Sequence, residues 1–567
     1  MSPRGERETG ATRRLRLDLR LDLRLDLRLD LRLDLRLHLR FYLRFYLRLY
    51  LSVYAHLHLS SSRRPRFEPV TALPSIMTEL STSPLNPKPV TPNRAPNDAR
   101  NDAPNDAPTP SPLRALALYA AAVAVAALGA GAFALANPQY LPGAVGEWVA
   151  NLTGANAHPV VLQRPVAAPL SAVALLGKQI FFDTSLSASG KQSCATCHSP
   201  AHAYGPPNDL AVQLGGANLT LQGYRPPPSL MYLHRQPNFS IGPDSAENDD
   251  NPANLTQLAT QAAGTQRAQK TAGAAPAAQE MVPQGGLFWD GRVDTLQQQA
   301  SGPMLNPVEM ANKDEADVLR KLQNTPYSKT FAQLFGANIF KDERLAVAEA
   351  MFAVARYQIE DPSFHPYTSK YDYWLEGKAR LTQAELRGLH LFNDPDKANC
   401  AGCHLSKPTR DGLPPMFTDF QYEALGVPRN AKLAQNRDPH FFDMGICGPF
   451  RTDLKDQTQY CGMFLTPTLR NTATRHAFFH NGVYSNLDDV MAFYNARNTD
   501  PARFYPRGAD GKPDKYDDMP TAYRGNVDVK DAPFDRKFGD TPAMTEQDMR
   551  DIVAFLHTLT DGYGEQH

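Results

Sequence analysis

Four cysteines and two histidines carry the most specific chemistry in this chain, in two copies of one spacing. The first copy is Cys194-Ala195-Thr196-Cys197-His198 and the second is Cys400-Ala401-Gly402-Cys403-His404. One helical turn separates the paired thiols, and the histidine follows at once. Both sulfurs and the imidazole can therefore meet one edge and one face of a flat ligand. This is the attachment spacing of a c-type haem, whose vinyl groups take the thiols while the imidazole becomes an axial iron ligand. A redox dithiol or half a zinc site is the lesser alternative for a single copy. Two copies, each with its histidine and neither set in a strand–helix–strand pattern, favour haem. Cys194, Cys197, Cys400 and Cys403 are the expected attachment points, and His198 and His404 the expected iron ligands.

The elements that must position these motifs look duplicated as well. Gly177-Lys178-Gln179-Ile180-Phe181-Phe182-Asp183 precedes the first motif, and Gly388-Leu389-His390-Leu391-Phe392-Asn393-Asp394 precedes the second. Residues four apart share a helical face, so each Gly–Phe pair predicts a helix packed beside its haem. The run Ala346–Ala355 reads as a core helix. Gln236–Glu280, rich in Gln, Ala, Asn and Asp, reads as a surface insertion. The implied fold is mostly α: two cytochrome c-like haem domains with long loops, residues 165–375 (with insertion 236–280) and 376–567.

The chain has 567 residues, with 59 Lys+Arg against 59 Asp+Glu. That length allows two or three domains, and the balanced charge gives no footprint for nucleic acid. Cys447 and Cys461 remain outside the motifs. Covalent haem attachment belongs outside the bacterial cytoplasm, as stable disulfides do, so a Cys447–Cys461 bridge is expected, with two free buried thiols as the alternative.

Residues 1–112 read as a low-complexity, disordered region. Within it, 13–50 repeat Leu-Arg-Leu-Asp and then Leu-Arg-Phe-Tyr. Met77 is an alternative start to Met1, and 83–112 form a Pro/Asn/Asp/Ala spacer. The segment 113–137 then reads as a transmembrane helix, since Ala115–Ala136 carries no charge and about 20 apolar residues span a bilayer. Lys88, Arg94, Arg100 and Arg114 precede it, and no Lys or Arg occurs from Asn137 to Gln163. The positive-inside rule then puts the haem region outside, in the periplasm, anchored to the inner membrane. A cleaved signal peptide ending near Ala134-Leu135-Ala136 is the alternative.

Four further motifs carry a resemblance. They are Phe288-Trp289-Asp290-Gly291-Arg292, Asn306-Pro307-Val308-Glu309-Met310, Thr466-Pro467-Thr468-Leu469-Arg470-Asn471 and Phe479-His480-Asn481-Gly482. From about Leu175 to the C-terminus the chain resembles the bacterial dihaem cytochrome c peroxidase and MauG family. The resemblance implies a peroxidatic first haem and an electron-transferring second haem. Trp289 corresponds to a tryptophan that relays electrons between them. Glu309 corresponds to an acid–base residue over the first haem, and Gln299 and Pro303 to residues lining the same pocket. Classical members carry a distal histidine after the first motif. Here only His202, too near His198, and His234, a weaker candidate, are at hand, so the first iron is expected to stay open for hydrogen peroxide. The second haem's distal ligand falls fourteen residues beyond the Phe-His-Asn-Gly histidine, which is Tyr494, as in the MauG branch. Met491 and Met463 are the alternatives.

Many members hold calcium between the domains. Its side-chain ligand is missing in Arg225-Pro226-Pro227-Pro228-Ser229, and its Thr-x-Pro carbonyl segment is replaced by Arg475-His476-Ala477. Backbone carbonyls alone would have to hold such an ion. The resemblance thus implies a peroxidase fed by a periplasmic electron-donor protein. A MauG-like enzyme that oxidises Trp or Tyr of a partner protein shares the same site chemistry. A dihaem electron carrier without catalysis is the remaining alternative.

Overall fold

The computed structural model of the protein describes residues 112–243 and 281–564. The Leu-Arg repeat, Met77, most of the proline-rich spacer and the bulk of the 236–280 insertion lie outside the described residues.

Helix α1 (Pro112–Ala136) is apolar and exposed along almost its whole length. Its segment Leu116–Ala136 is long and apolar enough to cross a membrane. No charge interrupts it and no core covers it. A short helix, Gly143–Thr153, follows and is closed by Gly154 in the left-handed region (φ 71°). A Cβ at Gly154 would lie 1.8 Å from the Leu381 carbonyl oxygen, so only glycine lets this turn sit against the chain 227 residues further on.

The helices named in the sequence are present in both halves. Helix α2 (Ala172–Phe182) starts at Ser171, whose side chain accepts from the Ala174 N–H. It packs lengthwise on α5 (Glu343–Glu360), and a Cβ on Gly177 would fall 1.8 Å from the Ala353 carbonyl oxygen. The second half repeats the device. Helix α6 (Gln383–Phe392), capped by Thr382 with Glu385, packs on α9 (Glu546–His557). There a Cβ on Gly388 would fall 1.9 Å from the Asp551 carbonyl oxygen. Each glycine faces a partner helix, while Phe181 and Phe392, four residues on, stand on the walls of the two large cavities.

Two principal cores follow. One gathers Leu176, Phe181, Val318, Phe331, Met351, Tyr357 and Phe364 around α2 and α5. The other gathers Leu386, Phe392, Phe417, Ile552 and Phe555 around α6 and α9, and it also takes in Leu162 from before the first helix pair. Strands are few and short. Ser240–Pro243 pairs antiparallel with Met281–Gln284, so the two ends of the insertion close on a two-stranded stem. Cys447 and Cys461 are joined in a disulfide, with Cα atoms 5.0 Å apart.

Candidate functional site

Each Cys-x-x-Cys segment forms one helical turn, α3 (Cys194–Cys197) and α7 (Cys400–Cys403). The histidine N–H closes the turn on the first cysteine's carbonyl, at 2.9 Å for His198 and 2.8 Å for His404. The chain then bends sharply. Ala203 and Tyr204 both take φ of 51°, and Phe417 takes 53°. The bends return a carbonyl to each imidazole: His198 Nδ1 lies 3.1 Å from Tyr204 O, and His404 Nδ1 lies 2.9 Å from Phe417 O. A carbonyl only accepts, so Nδ1 carries the hydrogen and Nε2 keeps its lone pair. This is the tautomer and fixed ring that metal ligation uses. Burial pushes both imidazoles down to about 4, which keeps them neutral.

The four motif thiols form no disulfide. Burial pushes Cys194 and Cys400 up to about 12 and Cys197 up to about 11. Redox and nucleophilic cysteines need the opposite shift. Burial therefore works against exchange chemistry at these thiols.

The first cavity, about 430 Å³, is lined by Cys194, Cys197 and His198 on one side and by Gln299, Pro303 and Glu309 from the following segment. Gln299 and Pro303 lie on α4 (Leu296–Leu305), which Thr295 and Gln298 cap reciprocally. The Met310 N–H bonds to Pro303 O at 3.2 Å and folds the loop 306–310 back along this helix. Glu309 is further fixed by Gly216 N–H on its carbonyl, 2.8 Å, and by Asn306 Nδ2 on its carboxylate, 2.6 Å. Gly215 has no room for a side chain, because a Cβ would sit 2.3 Å from Val308 O. Burial raises the Glu309 carboxyl above its ordinary range, and the Arg292 guanidinium and the Asn306 hydrogen bond oppose that shift.

Among the described residues, His198 is the only histidine on this cavity's wall. His202 bonds to Ser199 Oγ instead, and His234 packs edge-on against His365 at 4.6 Å. Neither reaches the first cavity.

The second cavity, about 350 Å³, is lined by Cys400, Cys403 and His404 and, from α8 (Leu487–Ala496), by Met491 and Tyr494. Asn495 exchanges two 2.9 Å bonds with the backbone of Met544 and fixes this helix. The Tyr494 ring is stacked on Phe534, 5.4 Å between centroids. Burial pushes its phenol up, so a bound cation would be needed to hold the phenolate. Met463 packs in a separate cluster and is not among the residues on this wall. His480 is on the wall but is stacked on Phe464 at 3.7 Å, with Nε2 3.6 Å from Asp518.

Trp289 lines both cavities. Its Nε1–H donates to Pro226 O at 3.0 Å, and its own carbonyl accepts from Leu465 N–H at 3.0 Å. Behind it, buried Asp290 binds Arg292 and Arg225, and Arg225 also grips Asp443. The Phe-Trp-Asp-Gly-Arg segment is thereby locked between the two halves. Trp374 is a packed aromatic, stacked on Tyr371 with its Nε1–H on Gly154 O. The sequence reading missed Gly215, the Arg225 ion pairs and the position of Arg475, which lines the second cavity.

In each half, then, two neutral thiols, one oriented imidazole and a largely apolar cavity of ligand-binding size come together. This donor set fits a haem in both. Residues 171–380 match the di-haem cytochrome c peroxidase family. The methylamine utilization protein MauG of Paracoccus denitrificans is 35% identical over 331 residues, covering 57% of this chain and 74% of that protein. The cytochrome-c peroxidase IdrP1 of Denitromonas iodatirespirans is 26% identical over 424 residues, covering 71% and 84%. Among solved structures, the diheme peroxidase BthA of Burkholderia thailandensis is 37% identical with a TM-score of 0.58, covering 72% of this chain and 92% of that one. A tyrosine-to-methionine variant of BthA aligns with a TM-score of 0.59.

The chain has a largely helical diheme peroxidase fold. It belongs to the di-haem cytochrome c peroxidase and MauG family and is a haem peroxidase-type oxidoreductase with two haem cofactors.

Proposed function

We propose that this protein reduces hydrogen peroxide at the His198 cavity while the His404 cavity stores and passes electrons. The observation that carries this reading is the asymmetry of the two cavities. One joins Glu309 to a single histidine, His198, among the described residues; the other joins His404 to Tyr494 and Met491 of α8, with His480 and several carboxylates also on its wall. Bound haem supplies the redox-active iron, and the fourfold thiol set supports covalent c-type attachment. Division near residue 375 into two haem domains accounts for the two cores.

The chain's own residues have separable tasks. His198 and His404, with Nδ1 bound to a carbonyl, would each have Nε2 free to ligate a haem iron. Glu309 takes a proton from peroxide as it binds and returns it to the departing oxygen. Its raised pKa suits both directions, and Asn306 keeps the carboxylate aimed. Gln299 and Pro303 shape the wall around the bound peroxide. Trp289 carries electrons between the cavities through its oxidisable indole, held rigid by Pro226 and Leu465. Tyr494 would offer the second iron a phenolate, a hard anionic donor that would lower its potential, where Met491 would raise it. Peroxide needs two electrons and two protons to become two waters, and a periplasmic donor protein is the electron source. Helix α1 and the Cys447–Cys461 bridge support an anchored, oxidising, extracytoplasmic setting.

An electron paramagnetic resonance spectrum of the resting ferric protein tests the asymmetry. The expected result is one high-spin and one low-spin centre, with Tyr494→Met converting only the latter's ligand signature. Two low-spin centres and no reaction with peroxide would identify a carrier instead. A partner protein recovered with oxidised Trp or Tyr would identify a protein-modifying enzyme.

A further inference from the structure

The segments that would hold calcium in this family do meet here, but they do not make a calcium site. Calcium takes six to eight oxygen ligands, usually with carboxylates among them. Among the described residues no group of three or more His, Cys, Asp or Glu could hold a metal. Pro226 offers only its carbonyl, and the Trp289 indole already occupies it at 3.0 Å. The facing segment brings a cation of its own. Arg475 reaches across, and its guanidinium donates to Pro227 O at 3.3 Å over a sequence separation of 248 residues.

Arg475, half-buried, is held differently from Arg225 and Arg470. Arg225 is clamped by Asp290 and Asp443, and Arg470 by Asp372. Arg475 has no carboxylate partner among the described residues. It lines the His404 cavity and also a smaller one, about 90 Å³, whose wall it shares with Trp289 and Gln299. Burial pulls its pKa down only to about 10, so it stays charged at neutral pH. A cation held away from water without a counter-ion is costly, and the larger of the two cavities it borders is the one read above as the His404 haem site.

We propose that the Arg475 guanidinium replaces the divalent cation between the two halves, joining the two segments and pairing with a carboxylate of the cofactor in the His404 cavity. Arg475 is a positioning residue: it fixes one positive charge beside Trp289 that cannot dissociate. The protein is then independent of calcium. The inference rests on the dihaem reading, and its failure is separable from failure of that reading. Absence of a c-type absorption spectrum would overturn the dihaem reading itself. A dihaem protein that needs calcium would overturn this inference alone.

The test uses the purified dihaem protein. Metal analysis after desalting should find no stoichiometric calcium, and neither EGTA nor added calcium should change the absorption spectrum or the peroxide reaction. Arg475→Met should lower the midpoint potential of the His404 haem, because a nearby positive charge favours the reduced state. Arg475→Lys should restore most of that shift. Stoichiometric calcium in the wild type, a spectral change on chelation, or an Arg475→Met protein with unaltered potentials would each overturn the proposal. Should the methionine variant not fold, the wild-type metal analysis and chelation decide the matter.

Discussion

Replacing Glu309 with Gln removes one proton-accepting atom and little else. The amide has the same shape, and its oxygen can still accept from Asn306 Nδ2, which holds the native carboxylate at 2.6 Å. The loop is fixed independently through the Glu309 carbonyl and the Met310 N–H, so the fold should survive. Positioned acid–base catalysis contributes about 10²- to 10⁴-fold, equivalent to about 2.7–5.4 kcal/mol at 1.36 kcal/mol per tenfold. The expected outcome is a loss of kcat/KM for hydrogen peroxide in that range, with both haem spectra unchanged at rest. The pH dependence adds a second readout. Burial raises the Glu309 carboxyl despite Arg292 and Asn306, and the first step needs its unprotonated form. The wild-type rate should therefore fall as pH drops through that raised pKa, and the variant should lack this limb. Stopped-flow mixing with peroxide across pH, followed in the Soret region, measures both. A variant within about threefold of the wild type, against the about 10²-fold minimum, would refute the acid–base assignment.

Other outcomes follow from the geometry. Trp289→Phe keeps an aromatic ring between the cavities but removes the easily oxidised indole and its bond to Pro226; inter-haem electron exchange should slow, and an unchanged rate would end the relay assignment. Gly388→Ala drives a Cβ to 1.9 Å from Asp551 O, and overpacking of this kind costs about 1–3 kcal/mol or more, read as a lower Tm. Arg470→Met strands Asp372, which like Arg470 is fully buried; breaking such a pair costs about 3–5 kcal/mol. Arg470 holds the Asp372 carboxyl below its usual range against desolvation. That share of stability is present above the ordinary carboxylate pKa and is lost as pH falls through the depressed one, so the wild type should show acid-destabilisation in that window and the variant should not.

The local parts of the site were legible in the residues alone. A Cys-x-x-Cys-His run closes within one helical turn, so its chemistry depends on no distant neighbour. The Gly–Phe pairs announced their helices for the same reason, because four residues share a face whatever packs on it. Glu309, Gln299, Pro303 and Trp289 came from resemblance, and the chain gathers them on the expected cavity walls. The sequence left His234 and Met463 open as iron ligands; the fold turns the first against His365 and the second into another cluster.

Spacing along the chain determined which groups are offered to a haem and which stretch, Ala115–Ala136, carries no charge. Only the tertiary path decided which groups meet across hundreds of residues. It set Gly215 under the Glu309 loop, Arg225 between Asp290 and Asp443, and Arg475 against Pro227. A turn is fixed by the dihedral angles of its own few residues, whereas a contact between distant segments exists only once the intervening chain has packed and excluded water around it. The buried charges belong to that second kind, since their energies depend on the cavity walls that the whole fold assembles.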